Sequence, residues 1–169
     1  MKILIKWKII NKLHFYSFNP AEAVNENDFK ALELIINRSL PLSYKEFYTA
    51  NNGGSIKENN FFKNDDDKFE TFSINDFYHL VANEENDKFE TNVFTIIDKN
   101  LLENILFVPW GFDGSNNQLY LDFTYEEPKV YAYYYDEDDT GIPKQVFLAD
   151  SIEAFLKKLR VYEEEEDDE

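Results

Sequence analysis

The side chains that most often carry out chemistry are sparse and scattered in this chain. Its two histidines, His14 and His79, stand in segments without a partner motif. No H-E-x-x-H is present to hold a zinc ion and no G-x-S-x-G to present a serine nucleophile. Cysteine is absent, which removes disulfides, thiolate nucleophiles and Cys-ligated zinc. Gly53-Gly54 belongs to no G-x-x-x-x-G-K-[ST] or G-x-G-x-x-G pattern, so it reads as a helix stop and not as a phosphate cradle. One spacing is metal-like: Asp136, Asp138, Thr140 and Gly141 fall on the first, third, fifth and sixth positions of an EF-hand loop. The closing bidentate Glu is replaced by Phe147, and Pro143 leads toward a strand instead of an exiting helix. Paired carboxylates, which glycosidase-type chemistry requires, say little in a chain with 34 acids. The expectation is a non-enzymatic protein with no catalytic residue, no cofactor and no metal.

The remaining chemistry is that of recognition. Tyr131, Tyr133 and Tyr135 alternate, so they share one face of a strand, with Asp136 and Asp138 directly after them. Such a row either packs against a helix or, if exposed, forms a rigid aromatic anchor for a protein partner. Trp110, Asp113, Asp122 and the stretch 131–138 are therefore the expected partner-facing side, because loops and strand ends there combine aromatic groups with charge.

Charge narrows the partner. The 169 residues carry 17 Lys and Arg against 34 Asp and Glu, a formal net charge of −17. Phosphate backbones and anionic lipid repel such a surface, so neither nucleic acid nor membrane is expected as a ligand; a basic protein is its natural complement. Residues 163–169 are all Glu or Asp and predict a disordered acidic tail. Residues 1–162 read as one domain: hydrophobic residues make up 43%, and Gly and Pro contribute five each, enough apolar material for a packed core. Residues 1–10 resemble a signal sequence only briefly, since Lys6 and Lys8 interrupt them, and are read as a strand or packed arm. No apolar run approaches the roughly 18 residues of a membrane-spanning helix. A cytoplasmic location is the simplest expectation.

Periodicity supplies the elements that must position these groups. Phe29, Leu32, Ile35 and Ile36 predict a helix over 28–37, capped by Asn25 or Asn27. Ser43-Tyr44-Lys45-Glu46 fits a capping box opening a second helix that ends at Asn51-Asn52-Gly53-Gly54. Ser73 and Asp76 predict a third, carrying Phe77, Leu80 and Val81. Residues 93–106 fit either a strand or a helical turn. Strict alternation at Leu119, Leu121 and Phe123, after a loop through 113–117, predicts a hairpin, followed by strands over 130–135 and 145–148. A final helix opens at Asp150-Ser151 with Ile152, Phe155, Leu156 and Leu159 in one stripe. Helices early and strands late predict an α+β domain, a mostly antiparallel or mixed sheet packed on helices.

Three segments, in order, resemble the SUKH superfamily, also called the Smi/Knr family. They are Leu40-Pro41-x-x-Tyr44-x-x-Phe47 with Asn52-Gly53-Gly54; Asp113-Gly114-x-x-Asn117-x-Leu119-x-Leu121-Asp122; and Leu148-Ala149-Asp150-Ser151-Ile152-Glu153-x-Phe155-Leu156. The resemblance spans about 28–159. Ser115 and Asn116 replace family glycines, and Tyr135-Asp136-Glu137 stands where many members have a His-Glu pair. The resemblance assigns Leu40, Pro41, Tyr44, Phe47, Gly53, Gly54, Gly114, Asn117, Leu121, Asp150 and Phe155 to the fold. It implies no catalytic activity and a role in binding proteins. Bacterial members resemble immunity proteins that neutralise a cognate polymorphic toxin, often a nuclease; fungal ones resemble regulators of cell-wall glucan synthesis. The expected function is immunity by occluding a basic toxin surface, with a regulatory interaction module as the alternative.

Overall fold

The computed structural model describes residues 12–16, 21–83, 91–135 and 141–162. The expected N-terminal arm and acidic tail, with Asp136 and Asp138, lie outside these residues.

Asn25 starts the first helix, α1 (Glu26–Ile36): its Oδ1 accepts from Asn27 N–H and Asp28 N–H, while Asp28 Oδ2 accepts from Asn25 N–H. Two otherwise unpaired backbone ends are satisfied reciprocally. Phe29, Leu32 and Ile36 face the core, and Asn37 closes the helix in the left-handed region at φ 52°. α2 (Leu42–Ala50) begins two residues earlier than a Ser43 cap requires. Pro41, extended at φ −67°, takes the cap position, and Ser43 is buried in the first turn, donating to Glu127 Oε1 at 2.9 Å. The expected capping box therefore does not form. Tyr44, Phe47 and Tyr48 bury the inner side of α2.

The expected third helix is absent. Residues 72–81 are extended and include β2 (Phe72–Ser73) and β3 (Asp76–Phe77); β1 is Asn60–Phe61. Three non-local clamps hold this stretch open. Gly54 exchanges backbone bonds with Phe77, both at 2.9 Å. Asn52 Oδ1 accepts from Leu80 N–H at 2.7 Å and its Nδ2 donates to Leu80 C=O at 3.1 Å. Asn92 treats Val81 in the same way, at 3.2 and 2.9 Å. Gly53 makes the approach possible: at φ +76°, a Cβ there would meet Tyr78 O at 2.6 Å. Every residue from Phe77 to Val81 is buried, which one stripe of a helix cannot achieve.

The open stretch 93–106 resolves into α3 (Val93–Asp98) followed by turns in which Asn100 and Glu103 take positive φ. β4 (Phe107–Phe112), β5 (Gln118–Asp122), β6 (Lys129–Tyr134) and β7 (Lys144–Ala149) then follow. They form an antiparallel sheet in the order β3-β4-β5-β6-β7. α4 (Ile152–Lys157) is capped by Ser151, whose Oγ accepts from Ala154 N–H. Leu159, expected in its stripe, instead belongs to β8 (Leu159–Arg160), which joins a small antiparallel sheet in the order β2-β1-β8. The fold is α+β.

Helices α2 and α4 cover the inner face of the large sheet, and Phe29, Leu32 and Ile36 of α1 join the same core. Phe47 meets Phe77 and Trp110 at 4.9 and 5.1 Å, and Phe155 meets Trp110 at 5.4 Å and stacks on Phe61 at 4.5 Å. Leu119, Leu121, Val130 and Ala132 complete this layer.

Candidate partner-binding face

The pleat sends the other half of each strand outward. Tyr120 pairs with Tyr131 and Gln118 with Tyr133 across β5 and β6, and Tyr131 and Tyr133 lie opposite Phe147 and Gln145 of β7. Tyr120 is buried in this layer, stacked on Tyr131 at 5.5 Å and against Phe107 at 4.9 Å. Tyr131 reaches Phe147 edge-on at 5.6 Å, and Tyr133 reaches Tyr135 at 5.1 Å. Lys129 Nζ lies 4.4 Å above the ring of Tyr125, 5.8 Å from that of Phe147 and 3.8 Å from Asp150 Oδ1.

Cover on this side is partial. α3 and the turns after it sit on β4 around Phe107 and Pro109, and Tyr135 Oη donates to Leu101 C=O at 3.3 Å. Tyr131, Tyr133, Tyr135 and Phe147 remain half-buried and Tyr125 exposed. A turn covers one end of the tyrosine row, and the rest meets solvent.

Carboxylates surround these rings. Burial, then the neighbouring Tyr125, Asp122 and Asp150, raise the Tyr131 phenol above its ordinary value; burial and Glu103 raise that of Tyr133. Burial, then Tyr133 and Glu103, push Tyr135 up to about 12. At neutral pH the phenols are neutral donors in a negative field, which attracts cations.

Two expected partner residues, Trp110 and Asp113, sit elsewhere, while Asp122 shares the outward parity of Tyr120. Trp110 is 0% exposed in the core: it lies two residues from buried Val108, on the same inner face of β4, and the register shift between Pro109 and Gly111 leaves it without a partner in β5. Asp122 is buried at the end of β5 and accepts from Thr124 N–H at 2.9 Å. Asp113 organises its own loop: Oδ1 accepts from Ser115 N–H and Asn117 N–H at 2.8 and 2.9 Å, and Oδ2 from Asn117 Nδ2 at 2.9 Å. Asn117 Oδ1 in turn accepts from Tyr135 N–H at 3.1 Å, so this loop fixes the last tyrosine of the row.

Among the residues expected to serve the fold, Leu40, Tyr44, Phe47, Leu121 and Phe155 are buried, and Pro41 caps α2. Gly114 faces open space, and the Asp150 side chain is 81% exposed beside Lys129, on the outer face. Sequence reading missed Tyr125, Lys129, Gln145 and Phe147. In the sequence Phe147 stands out only as the residue that breaks the calcium pattern; its alternation with Gln145, registered against Tyr131 and Tyr133, is the signal that finds it.

Among the described residues, no group of three or more His, Asp or Glu side chains is placed to hold a metal, and no helix is long and apolar enough to cross a membrane. Comparison with curated proteins and with solved structures gave no match. The model of the SMI1 / KNR4 family (SUKH-1) matches residues 23–158, a span that holds α1 to α4 and, apart from β8, both sheets formed by the described residues. By that match the chain belongs to the SMI1 / KNR4 (SUKH-1) family, whose membership fits protein-interaction roles.

Proposed function

We propose that this chain is a cytoplasmic immunity protein that acts by binding and not by catalysis, covering the basic active surface of a cognate toxin. The observation that carries the reading is the row Tyr131, Tyr133 and Phe147, half-exposed on a rigid sheet and ringed by Glu103, Asp122 and Asp150 in a chain of net charge −17. A nuclease needs cationic groups to grip phosphate, so an acidic domain complements that surface. Charge steers the encounter, with rates up to about 10⁸ to 10⁹ M⁻¹s⁻¹ at low salt. Rigid aromatics shielded from water then slow dissociation.

The test expresses the protein encoded beside this one in its own genome in a bacterial host, with and without this chain. Growth restored only when the chain is present supports immunity. Tyr131→Ser should lose the protection while the purified variant keeps its melting temperature within a few degrees. A neighbour that is harmless alone would remove the reading and leave a regulatory interaction as the alternative.

A further inference from the structure

The large sheet ends differently at its two edges. β3 is two residues long, and its outer side is taken by the paired bonds to Gly54. β7 is six residues long, and among the described residues no strand lies beyond it. The outward backbone groups of β7 follow from its neighbours. Tyr135 N–H points toward β5, where Asn117 Oδ1 accepts it. Backbone groups alternate sides along a strand, so those of Tyr131 and Tyr133 also face β5, and those of Ala132 and Tyr134 face β7. The bond from Asp113 N–H to Asn117 C=O gives the same parity from the other side: Asn117 faces β4, so Gln118 faces β6 opposite Tyr133. Ala132 and Tyr134 lie opposite Val146 and Lys144, whose backbone groups therefore bond to β6. Gln145 and Phe147 turn theirs outward. Their side chains lie on the same face as Tyr131 and Tyr133.

A backbone edge and an aromatic shelf thus meet at two residues. Resting on the binding role argued above, we propose that an extended cationic segment of the partner protein adds to β7 as a further strand, bonding to the backbone of Gln145 and Phe147 and laying alternate side chains over Tyr131 and Phe147. Charge selects this occupant over a second copy, which would bring a net −17 against another −17. Main-chain bonds would supply affinity, and Lys or Arg side chains on alternate positions would meet the phenol faces and the Glu103 and Asp150 carboxylates.

The probe is a capped peptide of alternating Lys and Val, with a counterpart N-methylated at alternate residues on its hydrogen-bonding side. Binding to the full chain is followed by fluorescence anisotropy, and amide hydrogen exchange by NMR. The unmodified peptide should slow exchange at Gln145 and Phe147 at least tenfold. N-methylation should weaken binding at least tenfold, as should Gln145→Pro, which removes an outward N–H that an edge strand can spare. Equal binding of the N-methylated peptide would overturn the inference, whether or not the proline variant folds. Slow exchange at both amides in the free chain would also overturn it, by showing a second copy or residues 1–11 on the edge. If Gln145→Pro still neutralises the neighbouring toxin while Tyr131→Ser does not, the binding role stands and the added strand is wrong.

Discussion

Asp113 separates a residue that organises a loop from one that touches a partner, and its variants can be ordered in advance. Asp113→Ala removes three hydrogen bonds: those from Ser115 N–H, Asn117 N–H and Asn117 Nδ2. The side chain is half-buried and partly solvated, so each counts near the low end for a net hydrogen bond, about 0.7 kcal/mol and about 2 kcal/mol together. For a chain of this size that corresponds to a fall in melting temperature of about 4 to 8 °C. Asp113→Asn keeps one oxygen for the two backbone donors but sets an amide group against Asn117 Nδ2, so it should lose roughly a third as much. Thermal unfolding followed by circular dichroism gives both values. Equal melting temperatures for Asp113→Ala and wild type would refute the loop assignment and return Asp113 to the partner side. A second signature comes from Tyr135, whose N–H is held through Asn117. Its amide exchange should quicken in Asp113→Ala and stay near the wild-type rate in Asp113→Asn.

Other consequences are as direct. Asn52→Ala strips both backbone groups of Leu80 of their partner in a buried site and should cost about 2 to 4 kcal/mol, measured by urea unfolding; a loss under about 0.5 would show that the stretch holds itself. Trp110→Ala opens a cavity between Phe47, Phe77 and Phe155 and should cost about 3 to 5 kcal/mol, leaving little or no folded protein. A soluble, stable variant with lost binding would instead restore Trp110 to the interface. Burial raises Tyr44, Tyr48, Tyr78 and Tyr120 above the ordinary phenol value, so the folded chain holds protons that the unfolded chain releases near pH 10. Their stabilisation is complete below pH 10 and is lost as pH rises through the folded values; a melting temperature unchanged from pH 9 to 11.5 would contradict this.

How much of this was legible in the sequence depends on how local each constraint is. Asn25 and its helix, the hairpin around Asp113 and Asn117, and the Ser151 cap are written within a few residues, and they appear where their spacing places them. Residues 73–81 carry a fair helical pattern, but Gly54, Asn52 and Asn92 reach them from other parts of the chain and hold them extended. Trp110 reads as a loop residue between Pro109 and Gly111, and its role as a core anchor shows only in the packing of Phe47, Phe77 and Phe155 around it, on the inner face it shares with Val108. The tyrosine row was readable as one face of a strand. Its completion by Phe147, Lys129 and Asp150 depends on the pairing of β6 with β7 and on the side-chain contacts made across it, which periodicity alone does not specify.

The central claim is that charge brings a basic partner to the outer face and that its aromatic groups hold it there. It is tested most directly by surface plasmon resonance with the protein encoded beside this one, provided the growth-rescue experiment shows it to be toxic, using wild type and Tyr131→Ser at low and high salt. The association rate should fall at least tenfold with salt in both proteins, and dissociation should be at least tenfold faster in Tyr131→Ser. An association rate indifferent to salt, together with identical dissociation of the two proteins, would contradict it.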